Sequence, residues 1–193
     1  FGTYPFVTAS NPISGGACTG LGIGPKKITK VIGVAKAYTT RVGMGPFPTE
    51  INDEINQTLR TAGNEFGATT GRPRRCGWFD AIIVRYATVL NGIDELIITK
   101  LDVLSGLKTI KIGVKYIYND QSVDIYPLDT EIFENVDVEY EEMQGWDTNI
   151  NNISTYKDLP TAAKKYIDRI EELVGTKITA VSVGSAREQI IAR

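Results

Sequence analysis

Apolar residues recur along this chain at two spacings, and the two spacings divide it into helices and strands. Ile28 to Val42 is rich in Val, Ile, Thr and Tyr and predicts a single strand, which Gly43, Gly45, Pro46 and Pro48 stop. Ile55 and Leu59, four apart, share one face of a short helix that Asn52 caps and that runs through Arg60, with Asp53 and Glu54 near its positive end. Ile82, Tyr86, Val89 and Leu90 share a side of a stronger helix over Trp78 to Leu90, and Asn91-Gly92 ends it. Leu96 to Thr99 is a short buried strand running into Lys100-Leu101-Asp102. Ile110 to Tyr118 alternates, Asn119-Asp120 turns, and Val123 to Tyr126 pairs back. Val136 to Tyr140 alternates again, acidic on one side.

Pro160 opens a further helix, with Asp158 as its cap and Ala163, Tyr166, Ile167, Ile170, Leu173 and Val174 as its apolar stripe. Lys177 to Val183 is a last strand, ending at Ser182-Val183-Gly184-Ser185. Residues 9–25, rich in Gly, Ser and Asn, read as a long structured loop that buries Ile13, Ala17, Cys18, Leu21 and Ile23. The pattern predicts an α/β fold of mixed α+β character, with polar, glycine-bearing loops at several strand ends.

Composition narrows the function classes. The chain has 193 residues and a net charge of -2, with 42% hydrophobic and 23% charged residues, which suits one large domain or two small ones. That balance argues against a general nucleic-acid binder. No apolar run reaches the length of a membrane span, and no signal peptide is visible. Cys18 and Cys76 are far apart, so a disulfide scaffold is not expected and a reduced cytoplasmic setting fits. There is no histidine, which excludes Ser-His-Asp and Cys-His chemistry and histidine metal sites within these residues. The opening Phe1-Gly-Thr-Tyr-Pro-Phe-Val-Thr8 reads like the interior of a longer protein, so a fragment is expected.

The candidate chemistry lies in four stretches. In Gly67 to Trp78, two threonines and a glycine precede Arg72, Arg74 and Arg75. Glycine permits close backbone approach, threonine offers donors, and arginine presents a fork matched to carboxylate and phosphate oxygens. The expected helix at Trp78 would turn its positive end to this loop. The bland alternative is a solvated basic patch. Lys100-Leu101-Asp102 places a carboxylate at a strand end, where it can accept the adjacent N1–H and amino donors of guanine; adenine has no such pair. The alternative is a surface ion pair. Ser182-Val183-Gly184 could face a flat ring or be an ordinary turn, and the hydroxyls around Thr8 could contact phosphate or sugar or only their own backbone. Glu139 to Glu142 reads as a solvated strand face, and Trp78 and Trp146 as packing residues.

The order of these motifs resembles the adenylosuccinate synthetase family. The resemblance runs from Gly2 to Asn11 through Gly43-Met-Gly-Pro-Phe-Pro-Thr-Glu50 and Gly63-Asn-Glu-Phe-Gly-Ala-Thr-Thr-Gly-Arg-Pro-Arg-Arg-Cys-Gly-Trp78. It continues through Thr99 to Asp102, Tyr140-Glu-Glu-Met-Gln-Gly-Trp146 and Val181-Ser-Val-Gly-Ser185. It implies the carboxy-terminal portion of that fold, with its P-loop-NTPase-like core, in which residues 1–95 carry substrate loops and 96–193 the guanine-nucleotide part. The implied activity joins IMP and L-aspartate at the expense of GTP, giving adenylosuccinate, GDP and phosphate in a cytoplasmic homodimer that requires Mg2+.

By position, the resemblance implies IMP contacts for Thr8 and Arg72. It implies aspartate contacts for Ala68, Thr69, Thr70, Gly71, Arg72, Pro73 and Arg74. For GTP it implies Arg74, Lys100, Leu101, Asp102, Ser182, Val183 and Gly184. The family's amino-terminal Gly-Asp-Glu-Gly-Lys-Gly loop, catalytic aspartate and histidine, and magnesium ligands have no counterpart here. The expectation is therefore half a site with no catalytic residue, inactive alone. The other class left open is a non-catalytic guanine-nucleotide or anion-binding module.

Overall fold

A computed structural model describes residues 2–7, 9–69, 71–123, 126 and 129–193. The chain runs through α1 (Gly16–Leu21), β1 (Ile32–Lys36), β2 (Thr39–Arg41), α2 (Glu54–Ala62), β3 (Arg75–Gly77) and β4 (Phe79–Asp80). It continues through α3 (Ala81–Asn91), β5 (Glu95–Thr99), β6 (Thr109–Tyr118), β7 (Gln121–Val123), α4 (Thr130–Glu134) and β8 (Asp137–Gln144). It closes with α5 (Thr161–Val174), β9 (Ile178–Ser182) and β10 (Ile190–Ala192).

Strands β1, β5 and β9 are parallel, with β10 antiparallel on β9, in the order β1-β5-β9-β10. Leu96, Ile98, Ile178 and Val181 are buried in this sheet, as expected for parallel strands covered by other elements. The stripe of α5, Ala163, Tyr166, Ile167, Ile170 and Val174, joins the same core, and Leu173 is partly buried against it. The Tyr166 hydroxyl donates to the Ala37 carbonyl at 2.7 Å. A second sheet centres on β6, which pairs with β8, β7 and, in parallel, β4. Ile82, Tyr116, Tyr126 and Phe133 form a smaller cluster beside it.

Several departures from the periodicity trace to particular hydrogen bonds and strand pairings. The strand expected over Ile28 to Val42 is two strands in two sheets: β1 pairs with β5, and β2 pairs with β3. The chain leaves the first sheet at Ala37-Tyr38, where the Tyr38 hydroxyl turns inward and donates to Glu65 at 2.6 Å. The helix expected from Trp78 begins instead at Ala81, after β3 and β4. Buried Asp80 caps it, accepting from the amides of Ile82 and Ile83 at 3.2 and 3.1 Å. The positive end of α3 is therefore occupied by Asp80 rather than turned to the arginine loop. Val89 is exposed, and Thr88 is buried in its stead.

In α2 the cap is Asp53, not Asn52. In α5 the N-cap is Pro160 with no side-chain bond, while Asp158 accepts from the Thr155 hydroxyl. Residues 9–25 contain the helix α1 and a 3-10 turn at Pro25–Lys27. That segment docks through Ser14, whose amide and hydroxyl reach the Asn91 side chain and carbonyl at 2.7 and 2.8 Å. The helix stop at Gly92, with φ of 58°, is where Asn91-Gly92 predicts it. Asn119 and Asp120 turn with φ of 50° and 60°. Trp78 and Trp146 are core residues. On the acidic strand, Glu139 and Glu142 pair with Lys115 and Lys111 at 3.1 and 2.8 Å.

Candidate functional site

The carboxyl ends of the parallel strands are where ligands bind in open α/β sheets. At that end of β5 and β9 lies a cavity of about 790 Å3, lined by Thr99, Lys100 and Asp102 from one loop and Ser182, Gly184 and Ser185 from the other. Gly63 and Asn64 after α2, Asn151, Arg187 and Gln189 complete its walls. Lys100 adopts φ of 60° and ψ of 32°, which turns the chain out of β5 so that Asp102 faces the cavity. The Lys100 amide donates to the Ser182 hydroxyl at 3.0 Å, tying the two loops together.

Asp102 is positioned by a residue that sequence reasoning passed over. Asn151 Nδ2 donates to Asp102 Oδ2 at 3.3 Å and to the Val183 carbonyl at 2.9 Å. Gln189 Nε2 donates to the Asn151 carbonyl at 2.9 Å, and Gln189 Oε1 accepts from the Ala186 amide at 2.9 Å. Each carboxylate oxygen has two lone pairs, so a bond from Asn151 leaves acceptor capacity on both. Leu101 and Val183, by contrast, have fully buried side chains and can offer a ligand only backbone groups. The Asn-rich run from Asn149 to Asn152 was the available signal, but an Asn-rich loop ordinarily reads as turn chemistry.

The second missed residue is Glu65. It is 0% exposed and accepts four donors or near donors. Lys36 Nζ lies 2.8 Å from both oxygens, the Tyr38 hydroxyl 2.6 Å, and Arg74 Nη1 2.7 Å. Lys100 Nζ stands 3.6 Å away and also donates to the Gly63 carbonyl. Burial pushes the Glu65 carboxyl up, but the bonds from Lys36, Tyr38 and Arg74 and the Lys36 charge outweigh it and hold the group at about 2. Burial pushes Lys36 down, with Arg74 and Lys100 adding to it and Glu65 opposing. We take the pair as ionised, because every bond to Glu65 favours its charged form. Three cations around one anion leave a net positive cluster beside the cavity. Burial also pushes the Tyr38 hydroxyl far up, so it acts as a donor.

The arginine loop adjoins this cluster. Ala68, Thr69, Gly71, Arg72 and Pro73 are exposed, and Arg74 is half-buried. The loop closes on itself through the Gly67 amide to the Arg72 carbonyl and the Gly71 amide to the Gly67 carbonyl, both 2.8 Å. Arg72 is not among the cavity-lining residues; its loop connects to the cavity through Arg74, Glu65 and Lys100. Arg75 points elsewhere and pairs with Glu50 at 2.5 Å. Thr8 and Thr70 lie outside the described residues. Cys76 is buried and its thiol is pushed up by that burial, so it is a packing residue; Cys18 is half-buried and also free. No helix among the described residues is long and apolar enough to cross a membrane.

Comparison with known proteins gives the arrangement its relatives. The family model described as adenylosuccinate synthetase matches residues 1–191. Adenylosuccinate synthetase of Bifidobacterium longum (strain NCC 2705) is 53% identical over 190 residues, covering 98% of this chain and 44% of the relative. That of Caldanaerobacter subterraneus subsp. tengcongensis is 54% identical over 191 residues, covering 99% of this chain and 45% of the relative. The chain thus spans somewhat under half the length of these curated relatives. The structure of fully ligated adenylosuccinate synthetase from Plasmodium falciparum superposes with a TM-score of 0.97 at 44% identity, over 100% of this chain and 46% of that one. On a match to nearly its whole length, with the fold reproduced, the chain belongs to the adenylosuccinate synthetase family.

Proposed function

We propose that this chain supplies the IMP-, aspartate- and guanine-nucleotide-contacting part of a GTP-dependent ligase that joins IMP and L-aspartate into adenylosuccinate, releasing GDP and phosphate. The observation that carries the reading is the meeting of Lys100, Asp102, Ser182 and Gly184 around one cavity, with a cationic cluster at its border. Asp102 would accept the paired N1–H and amino donors of guanine, while Lys100 and Arg74 neutralise phosphate charge. Residues 68–74, Arg72 among them, would hold the aspartate carboxylates, and Thr8 and Arg72 would contact IMP. In this division residues 1–95 carry the substrate loops and 96–193 the nucleotide part.

The reaction moves the GTP γ-phosphoryl group to the purine 6-oxygen, after which the aspartate amine displaces phosphate. Such chemistry depends on positioning and charge neutralisation, which is what the residues of this chain offer. The family relation implies Mg2+, but among the described residues no three His, Cys, Asp or Glu gather into a metal site, so no step is derived through the ion. With no histidine and no phosphate loop of the family type, the chain alone is expected to form no adenylosuccinate. Its setting is read as cytoplasmic and its assembly as a homodimer, by family relation.

The test is Asp102→Asn in the full-length ligase. An amide cannot accept both guanine donors, so kcat/KM with GTP is expected to fall by about 100-fold while ATP is little affected. An unchanged preference for GTP over ATP overturns the assignment. Adding the family's amino-terminal half to the purified chain should restore turnover; nucleotide binding with no turnover would favour the non-catalytic module.

A further inference from the structure

The carboxylate of Glu65 stands outside the nucleotide cavity, yet it touches a residue on each side of the proposed site. It arrives there by a tight turn. After α2, Asn64 takes φ of 49°, and the Glu65 amide donates to the Arg60 carbonyl at 2.8 Å. A Cβ on Gly63 would collide with the Tyr38 hydroxyl, so the turn has no slack. The backbone then binds Glu65 to the base of the arginine loop: the Arg74 amide donates to the Glu65 carbonyl at 2.9 Å. Phe66 and Pro73 bridge one residue further in, and Arg60 Nε donates to the Arg74 carbonyl at 2.9 Å. Loop 67–72 is therefore clasped at its neck by a main-chain and a side-chain link between the same two residues.

A buried carboxylate with a hydrogen bond on each oxygen fixes its partners far more firmly than an exposed one, because any partner that leaves strands a charge in a poorly solvated site. Arg74 uses Nη1 for this bond, and its side chain keeps 28% of its surface exposed. Lys100 Nζ stands 3.6 Å from the other carboxylate oxygen and donates to the Gly63 carbonyl.

Building on the ligase reading above, we propose that Glu65 is a positioning residue that locks Arg74 of the arginine loop and Lys100 of the base-binding loop into one rigid cationic unit. Phosphate and base recognition are thereby coupled through a side chain that touches neither ligand. The unit's other cation, Lys36, serves to balance charge and Tyr38 to fill the remaining acceptor site.

The test uses the full-length ligase and two variants. Glu65→Gln is expected to raise KM for GTP by at least about 10-fold and to lower kcat/KM by about 100-fold, the scale of a small misplacement. Because this variant strands three cations, it is paired with Glu65→Gln/Lys36→Met, which removes one anion and one cation together. The double variant is expected to regain a wild-type unfolding midpoint while its GTP KM stays raised. If KM recovers along with the midpoint, Glu65 merely balances charge and the inference falls.

A measurement that leaves Glu65 intact guards against loss of fold. The losses of GDP affinity in Arg74→Ala and Lys100→Ala are expected to be non-additive by at least about 5-fold. Additive losses overturn the proposal whatever the variants at position 65 do. Failure of the unmodified ligase to bind GDP overturns the ligase reading itself, which separates the two failures.

Discussion

Asn151 does its work through two bonds, one to the Asp102 carboxylate at 3.3 Å and one to the Val183 carbonyl at 2.9 Å. Those acceptors belong to the loops that follow β5 and β9, both of which line the cavity, so the amide ties the loops together as well as directing Asp102. Gln189 fixes Asn151 from behind, and a Cβ at Gly184 would run into the Gln189 side chain. Asn151→Ala is expected to lower the kcat/KM preference for GTP over ATP by about 10-fold, the scale of losing a hydrogen bond to a charged group, with little change in melting temperature. Asn151→Asp is expected to be worse than alanine, since it sets a second carboxylate beside Asp102. Equal nucleotide preference in all three proteins, measured by steady-state kinetics, would remove Asn151 from the site. Lys100, Asp102 and Ser182 could be singled out from sequence because their side chains carry distinctive donors or acceptors at strand ends. Asn151 and Glu65 could not, because their importance comes from partners between 9 and 49 positions away.

At the scale of elements, the segment from Arg75 to Asn91 shows where periodicity misleads. Trp78 and Phe79 continue the apolar spacing of the helix that follows, yet neither is helical: the Trp78 amide donates to the Thr49 carbonyl at 2.9 Å between β3 and β4, and Phe79 pairs in β4 with β6. Asp80 decides where α3 begins. Its Oδ1 caps two amides, and its Oδ2 accepts from the Tyr116 hydroxyl at 2.5 Å. Asp80→Ala is expected to cost about 1–2 kcal/mol through loss of the cap, measured by denaturant unfolding. Burial pushes the Asp80 carboxyl up to about 6, against the bonds from Tyr116, Ile83 and Ile82. A carboxyl raised above its ordinary 3.8 binds protons more readily in the folded state, so its contribution to stability declines as pH rises from about 4 to 6. Asp80→Asn keeps an oxygen for the cap and does not titrate. It is expected to gain stability relative to wild type across that window and to hold the gain above it. A constant difference from pH 4 to 7 would show that Asp80 stays ionised throughout.

For the whole molecule, the parallel sheet ends on β1, which among the described residues pairs only with β5. Its outer positions Ile32 and Val34 are 51% and 68% exposed. An open edge with apolar side chains is a template for further pairing. Val34→Lys is expected to reduce self-association of the 193-residue chain, read by light scattering across a concentration series, without lowering its melting temperature. An unchanged series would place any association elsewhere.

The sequence by itself determined the mixed α/β class, the apolar stripe of α5, the stop at Gly92, the turn at Asn119-Asp120, and the loops that bear chemistry. Each is local, set by spacing, backbone permissiveness or side-chain type over a few residues. Only the tertiary structure decided that Ile28 to Val42 divides between two sheets, that Asp80 rather than the arginine loop takes the end of α3, and that Glu65 and Asn151 stand behind the ligand-facing groups. Those outcomes depend on which distant donors and acceptors must be satisfied once water is excluded: even the local Asp80 cap is completed by Tyr116, 36 positions away, and Asn151 meets Asp102 across 49.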